Sequence, residues 1–237
     1  MDRLLKEFQK RPLTLIVSLP RNDPELARAA VEGGAQALKI HINVHHDASG
    51  THFGSFADEK PAIQKILKIA EDVPVGIVPG ADTCATEDEI DALASMGIDY
   101  IDMYLDQMPA WLRTVTSVTR IAAVKKGYSL DRLLNLNGGS AHAVEAAIVP
   151  SSGYGKKLLV GDLHQYISLA IGAALPIIVP SQRKLTPFDV DLLGDAGVRA
   201  IMIGAIVTGT NPKDLEWAAR TFRNAMDAYS RKIAEDM

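Results

Sequence analysis

The sequence predicts an α/β protein that forms a single (β/α)8 TIM barrel, with one domain over residues 1–237. The chain has 237 residues, which is close to the roughly 250 residues typical of such barrels. Short apolar segments alternate with helical segments along the chain, as in parallel α/β proteins. The segments at residues 176–179 and 200–203 are apolar throughout, which is typical of parallel strands that are covered on both faces.

Eight apolar segments are predicted to be the barrel strands. Four follow a glycine that ends the preceding helix, and four begin without one. The glycine-initiated segments are residues 34–40, 97–103, 139–145 and 197–203, and the others are residues 12–17, 74–78, 120–124 and 176–179. The sixth strand, near residues 143–149, has a composition that also suits a helix.

Capping residues mark the helix starts between these strands. Asp23–Pro24 is predicted to start the first helix and Asn211–Pro212 the last, because proline suits the first helical position. Thr86 and Glu89 form a capping box for the third helix. The final helix is predicted over about Lys213–Glu235, where its apolar spacing would close the outer ring.

The composition excludes several classes of protein. The formal net charge of -4, with interspersed signs, gives no basic patch for nucleic acid. A lone cysteine, Cys84, rules out a disulfide framework and an all-cysteine zinc site. No apolar run approaches a membrane span, and the charged N-terminus lacks a signal-peptide core. We therefore expect a cytoplasmic protein without a membrane partner or a cofactor, and with a homodimer as a possible assembly.

Strand parity places an unusually polar set of side chains inside the barrel. The apolar residues of the second strand should face the helices, so Lys39, His41 and Asn43 are predicted to point inward. Parity also turns Asp102 inward on the fourth strand. A buried lysine needs a partner or a function. Either Lys39 forms a structural salt bridge with Asp102, or Lys39 or His41 transfers a proton with Asp102 as orienting partner or second acid/base.

The segment after the second strand, residues 44–54, is rich in histidine. It contains His45, His46, Asp47 and His52. Histidine and carboxylate side chains can bind a metal, but this spacing matches no recognised ligand pattern, so no metal is predicted. A lid or substrate loop at the catalytic mouth is the preferred interpretation.

Other candidates lie on the fifth and sixth strands. Lys125 and Lys126 are adjacent, so one is predicted to point inward, where it could bind a phosphate or form a Schiff base. A solvated pair of lysines is the alternative. Glu145 has inward parity, but it is expected towards the barrel floor with a structural role. The loop Ser152–Gly155 is expected at the mouth.

The stretch of residues 175–210 carries the predicted phosphate site. A loop follows the strand at 176–179, a helix is predicted from Thr186–Pro187 to Gly197, and the strand at 200–203 runs into Gly204. A glycine lets a ligand approach the backbone, and amides at a helix start favour an anion. The predicted ligand- or phosphate-binding residues are Ser181, Gln182, Arg183, Gly204 and Ala205. A tight turn at Gly204 is the alternative.

This stretch resembles the phosphate-binding end of the ribulose-phosphate-binding barrel superfamily. Within that superfamily, the chain is most similar to the N-acetylmannosamine-6-phosphate 2-epimerases. The motifs that carry the resemblance are Leu15–Ser18, Val73–Val78, Thr86–Asp91, Ser152–Tyr154, Arg183–Pro187 and Ile203–Thr208. The resemblance implies a barrel that binds a small phosphorylated or otherwise anionic metabolite.

The departures from that family fall on its catalytic positions. The epimerases carry a catalytic lysine at the end of their third strand, where this chain has Pro79. They also carry a catalytic acid just before the Gly-Arg of their seventh strand, where this chain has Ser181–Arg183. The aspartate that ends their fourth strand aligns with Tyr104. Because neither Pro79 nor Ser181 performs these proton transfers unaided, that epimerase activity itself is not predicted.

Three hypotheses about function follow. The first is an isomerase or epimerase acting on a phosphorylated sugar or a similar anion, with the phosphate at Gly204–Ala205 and the Ser181–Arg183 loop. The inward polar set would then handle protons. The second is a lyase or aldolase that forms a Schiff base on Lys39 or on a lysine of the fifth strand. The third is a non-catalytic barrel that binds a ligand, as the lost family residues would allow.

Overall fold

The computed structural model describes residues 2–129, 136 and 139–235. Its strands are β1 (Thr14–Ser18), β2 (Ala37–His41), β3 (Val44–His46), β4 (Thr51–Phe53), β5 (Val75–Val78), β6 (Tyr100–Tyr104), β7 (Thr119–Lys125), β8 (Ala143–Ala147), β9 (Ile177–Pro180) and β10 (Ala200–Ile203). All except β3 and β4 form one closed parallel barrel, in which each strand pairs with the next barrel strand and β10 closes onto β1. The predicted (β/α)8 barrel is confirmed. Its sixth strand, β8, is a strand and not a helix.

The described helices are Arg3–Lys10, Pro24–Glu32, Phe56–Ala70, Glu87–Met96, Val160–Gly172, Asp189–Asp195, Ala205–Thr208 and Pro212–Glu235. The predicted starts at Pro24, at the capping box of Thr86 with Glu89, and at Pro212 are confirmed. None of these helices is long and apolar enough to cross a membrane.

The helix between β9 and β10 is shorter than predicted. It begins at Asp189, because the Asp189 carboxylate accepts the backbone N–H of Thr186 at 2.7 Å and holds Thr186–Pro187 in a turn ahead of the helix. Its last residue is Asp195, and the predicted stop at Gly197 is confirmed, because Gly197 adopts the left-handed conformation of a cap residue with φ 81°.

The N-terminal helix closes the lower end of the barrel. Its Leu4 and Phe8 are buried in a cluster with Ile16 and Tyr100 inside the strand ring. The Asp99 carboxylate accepts the backbone N–H of Leu4 at 3.0 Å and so fixes the start of this helix. A larger apolar core lies between the strands and the outer helices. The barrel is therefore packed at its lower end, and the carboxyl ends of the strands are left for a site.

Candidate active site

A cavity of about 400 Å³ opens at the carboxyl ends of the barrel strands. Each barrel strand contributes to its lining, with Ser18, Lys39, Val78, Tyr104, Lys125, Glu145, Pro180 and Met202. Active sites of (β/α)8 enzymes lie at this end of the barrel. The volume is within the roughly 300–1,000 Å³ of small-molecule sites.

A buried lysine bridges two carboxyl groups on the inner wall of this cavity. Lys39 Nζ lies 3.0 Å from Asp102 Oδ2 and 2.9 Å from Glu145 Oε2, and all three side chains are buried. Lys39 and Asp102 point inward, and the salt bridge that parity left open is present. Lys39 and Glu145 line the cavity, whereas Asp102 is not part of its lining and adjoins it through Lys39.

Glu145 is a correction to the sequence interpretation, which put it towards the barrel floor. In the register of β7 and β8, Glu145 lies opposite Ala123, and Ala123 also lines the cavity. The stagger between tilted strands sets the height of a residue in a barrel, and position within one strand does not reveal that stagger. Glu145 therefore belongs to the site.

The three ionisable groups of this cluster influence one another's pKa values. Burial opposes the charge of Lys39, but Asp102 and Glu145 outweigh it and raise the lysine pKa above its ordinary value. Burial also opposes the charge of Glu145, but Lys39 and a hydrogen bond with Asp102 together hold the glutamate pKa below its ordinary value. Burial and then the charge of Glu145 raise the pKa of Asp102 well above its ordinary value. These directions favour the ammonium form of Lys39, the carboxylate form of Glu145 and the protonated form of Asp102.

His41, also predicted to point inward, forms part of an aromatic stack on the cavity wall. Its ring centroid lies 4.7 Å from the centroids of both His46 and Phe53. Burial, followed by the charges of His46 and Lys39, lowers the pKa of His41 well below its ordinary value. Burial, followed by the charge of Lys39, lowers the pKa of His46 to about 4. Both rings are neutral at pH 7, and among the described residues the Nδ1 atom of His41 has no hydrogen-bond partner.

The histidine-rich segment lies at the cavity mouth, but it is a hairpin and not an irregular loop. Strands β3 and β4 pair antiparallel, with His45 opposite His52, and residues 44–48 line the cavity. His46 Nδ1 lies 2.9 Å from Ser49 Oγ in the turn. Within the part of the chain that the structure describes, no three or more His, Cys, Asp or Glu side chains are arranged to hold a metal ion.

Parity predicted that Asn43 points into the barrel, but it does not. The barrel strand ends at His41, and Asn43 adopts a left-handed conformation with φ 55°. Its side chain donates to the carbonyl of Pro79 at 3.3 Å. Parity applies only while the chain remains extended, and this turn ends it.

Asn22 is a positioning residue that the sequence interpretation missed. Its Nδ2 donates to the carbonyl of His41 at 2.6 Å and to Glu59 Oε2 at 2.9 Å, and its Oδ1 accepts the His41 N–H at 3.2 Å. Glu59 also accepts the Gly54 N–H at 3.1 Å. Asn22 thus fixes the end of β2 and links it to the base of the hairpin. The sequence could have indicated Asn22 through its position in the loop that follows β1, because barrel sites form from the loops after the strands.

The predicted phosphate-binding residues separate into two groups. Ser181, Gln182, Gly204 and Ala205 line the cavity, but Arg183 does not. The buried Arg183 guanidinium binds Asp162 through Nε at 2.8 Å and Nη2 at 3.0 Å, and it donates to the Gly153 carbonyl. The sequence interpretation of Arg183 as an anion clamp is corrected, because its charge is already paired away from the cavity.

Two serines and Gly204 form one side of the cavity. The Gly204 N–H donates to Ser181 Oγ at 2.8 Å, so this amide is already occupied. A Cβ at Gly204 would lie 3.5 Å from Ser18 Cβ, which shows how close the two residues are. Among the described residues, Ser18 Oγ is buried and has no hydrogen-bond partner. Ala205 begins a short helix, where backbone N–H groups lack intrahelical acceptors.

The opposite side of the cavity carries two tyrosines and a lysine. Gln182 Nε2 donates to Tyr154 Oη at 3.0 Å and its Oε1 accepts the backbone N–H of Val149 at 2.9 Å, so Gln182 fixes the tyrosine. Lys125 Nζ lies 4.6 Å from the ring centroid of Tyr104. Both lysines of this strand end are exposed, but Lys125 lines the cavity and Lys126 lies outside it.

No protein-family model matches the chain, and no curated protein matches it significantly. Solved structures match it along most of its length. Thiamine phosphate pyrophosphorylase from Pyrococcus furiosus is 15% identical over 93% of this chain and 98% of its own, with a TM-score of 0.68. KGPDC from Streptococcus mutans is 13% identical over 92% and 99%, with a TM-score of 0.69. Tryptophan synthase from Mycobacterium tuberculosis is 14% identical over 94% and 98%, with a TM-score of 0.70. At these identities the likeness establishes the (β/α)8 barrel fold.

Proposed function

We propose that this chain is an enzyme that transfers a proton on a phosphorylated sugar or a similar small anion, as isomerases and epimerases do. The observation that carries the proposal is the cluster of Lys39, Glu145 and Asp102 on the wall of the cavity. It places the Lys39 ammonium within hydrogen-bond range of one carboxyl group whose pKa is lowered, Glu145, and one whose pKa is raised, Asp102. Two neighbouring carboxyl groups whose pKa values are shifted in opposite directions are typical of acid–base sites.

Each group in the cluster has a distinct role in this proposal. The Lys39 ammonium stabilises the negative charge that develops on a substrate oxygen when an adjacent carbon loses its proton. The Glu145 carboxylate, which reaches the cavity, accepts that proton and returns it to the same or a neighbouring carbon. Asp102 is a positioning residue. Its carboxyl group accepts a hydrogen bond from the Lys39 ammonium, and its raised pKa lets it keep its own proton while Glu145 is ionised. The neutral ring of His41 provides a hydrogen bond to the ligand.

The anionic group of the ligand is assigned to the side of the cavity formed by Ser18, Ser181 and Ala205. The two hydroxyls and the Ala205 amide are suited to hydrogen-bond an anion, and Gly204 lets it approach the backbone. The sequence resemblance to epimerases of a phosphorylated sugar favours a sugar phosphate. Among structures of the same fold, one is named for thiamine phosphate, which supports a phosphorylated ligand.

A Schiff base on Lys39 is disfavoured by the same geometry. A lysine nucleophile must be a neutral amine, whereas the two carboxyl neighbours of Lys39 raise its pKa and keep it charged. Lys125 remains the cavity lysine that borohydride trapping with a carbonyl substrate would detect.

The proposal is tested by a thermal-shift screen of sugar phosphates, with the free sugars and inorganic phosphate as controls. A ligand at 100 times its Kd stabilises the native state by about 2.7 kcal/mol. For a compound that binds, Lys39→Met should reduce turnover on the order of 100-fold or more, whereas Lys126→Met, outside the cavity, should not.

Two outcomes would contradict the proposal. If no sugar phosphate stabilises the protein beyond inorganic phosphate, the proposed ligand class is wrong. If a sugar phosphate binds but no conversion occurs, the chain is a non-catalytic ligand-binding barrel.

A further inference from the structure

The helix Val160–Gly172 presents an apolar stripe to solvent. Its exposed residues Val160, Ile167 and Ile171 are 68%, 38% and 82% exposed. With His164, they follow the spacing i, i+4, i+7, i+11, which places all four on one face of the helix. The helix contains one Asp and no Glu, Lys or Arg, and that Asp162 is buried against Arg183. The solvent-facing side of the helix therefore carries no charged carboxylate, ammonium or guanidinium.

The next helix of the outer ring extends this surface. Phe188, just before the helix Asp189–Asp195, is 92% exposed, and Leu192 is 50% exposed. These two residues are four apart and share one face. Because β8 and β9 are neighbours in the barrel, the helices that follow them are neighbours in the outer ring. Large apolar side chains together on a surface mark an interaction site.

We propose that this surface binds a second copy of the chain, related by a two-fold axis, with the helix Val160–Gly172 packed antiparallel against its own copy. The four residues of the stripe are spaced by four, three and four positions, so the spacing is the same from either end of the helix. Antiparallel packing therefore sets Val160 opposite Ile171 of the second copy and His164 opposite Ile167 of the second copy. A two-fold interface requires such a self-complementary patch.

The charge and size of the surface both fit this occupant. A two-fold contact brings each residue near copies of the same patch, so the uncharged face of the helix Val160–Gly172 avoids like-charge repulsion, and the exposed Asp191 of the neighbouring helix is paired with Lys232 at 3.3 Å. A helix of 13 residues is about 20 Å long and, with side chains, about 10 Å wide. Together with Phe188 and Leu192 it offers an area on the order of several hundred Å², comparable to the roughly 800 Å² per partner of a standard interface. A membrane-surface helix would instead carry Lys and Arg beside its apolar face.

The first test is the mass of the protein in solution, measured by size-exclusion chromatography with light scattering over a range of concentrations. We expect a dimer, and we expect Ile171→Glu to raise its Kd on the order of 100-fold or more, as loss of an interface hot spot does. Ile171 is exposed, so the variant should keep the wild-type circular dichroism spectrum. Trp217→Glu is the matched control, because Trp217 is an exposed apolar residue of the helix Pro212–Glu235, outside the patch.

The second test is disulfide trapping of the antiparallel register. In a Cys84→Ser background, Val160→Cys and Ile171→Cys proteins should form crosslinked dimers when mixed and oxidised, whereas neither protein alone should do so. A monomer at all concentrations would overturn the proposal. So would a dimer that Ile171→Glu leaves intact, or crosslinking by Ile171→Cys alone. A monomer that captures a different protein through this face would overturn it too, by showing a different occupant.

Discussion

Loss of the buried cation should destabilise the fold far more than loss of either carboxyl group beside it. In Lys39→Met, Asp102 and Glu145 lose the ammonium that lies 3.0 and 2.9 Å from them. Removing one partner of a buried ion pair costs about 3–5 kcal/mol. We expect a loss of this size in the free energy of unfolding at pH 7.

Each single carboxyl variant should cost only about 1 kcal/mol, the typical value of one hydrogen bond. In Asp102→Asn, the pair of Lys39 and Glu145 is retained. In Glu145→Gln, Asp102 loses the neighbouring charge that helps to raise its pKa, so it ionises and pairs with Lys39 instead. The double variant Asp102→Asn/Glu145→Gln leaves Lys39 unpaired and should lose about 3–5 kcal/mol.

Urea unfolding at pH 7 measures these four free energies, and equal m-values confirm that the variants unfold from comparable native states. The decisive comparison is between Lys39→Met and the two single carboxyl variants. If Asp102→Asn and Glu145→Gln each cost as much as Lys39→Met, both carboxyls are ionised in the native protein and the protonated carboxyl is refuted. If Lys39→Met costs less than about 1 kcal/mol, the buried ion cluster is refuted.

Three further predictions concern other parts of the barrel. Burial lowers the pKa of His46 in the folded protein to about 4, whereas in the unfolded chain it keeps its ordinary value of about 6.5. The neutral ring therefore contributes stability above pH 6.5, and this contribution is lost as the pH falls towards 4. His46→Gln should therefore reduce the loss of unfolding free energy between pH 7 and pH 5 by roughly 1.5 kcal/mol, measured by urea unfolding. Arg183→Met leaves a buried carboxylate unpaired and should cost about 3–5 kcal/mol in the same assay. Gly76→Ala should cost at least about 1–3 kcal/mol, because its Cβ would lie 2.0 Å from the Tyr100 ring. Gly204→Ala, whose nearest Cβ contact would be an ordinary 3.5 Å, should leave the Tm near the wild-type value.

Each of these predictions has a result that contradicts it. The same pH dependence for His46→Gln and wild type would mean that His46 titrates normally in the folded protein. Wild-type stability of Arg183→Met would show that the buried pair contributes nothing to the fold. An equal decrease of Tm in Gly76→Ala and Gly204→Ala would show that the space available for a Cβ atom does not determine the loss of stability at these two positions.

The fold could be predicted because its signals are local. Apolar runs such as residues 176–179 and 200–203 are too short for helices, and the glycines between helix and strand set their boundaries. The strand β8 was ambiguous because its alanines suit a helix. Its pairing with β7 and β9 decides the matter, and that pairing is a tertiary effect.

The site could be predicted where strand parity applies and directly after the strands β9 and β10, where Ser181 and Gly204 line the cavity. Lys39, His41 and Asp102 lie within strands, so alternation indicated their direction. Glu145 required the stagger of neighbouring strands, which is not encoded in any one segment. Arg183 lies in an irregular turn that has no parity, and its partner Asp162 lies 21 residues away.

The bonds made by loops were also beyond the reach of sequence patterns. Asn22 binds the backbone of His41 across 19 residues, and Gln182 binds Tyr154 across 28 residues. The sequence indicates the hairpin of β3 and β4 only weakly, through a short polar turn that contains Gly50 and separates two brief strands. Three-residue strands are too short to show a reliable alternation.

The proton-transfer role of the Lys39 cluster is tested most directly by exchange of solvent deuterium into a bound sugar phosphate. Proton NMR in D2O follows the signal of the hydrogen on the carbon beside the carbonyl. We expect this signal to disappear with the wild-type protein and with Lys126→Met, and to disappear more slowly with Lys39→Met, by a factor on the order of 100 or more. A wild-type protein that binds the sugar phosphate but exchanges no carbon-bound hydrogen would contradict proton transfer at this site.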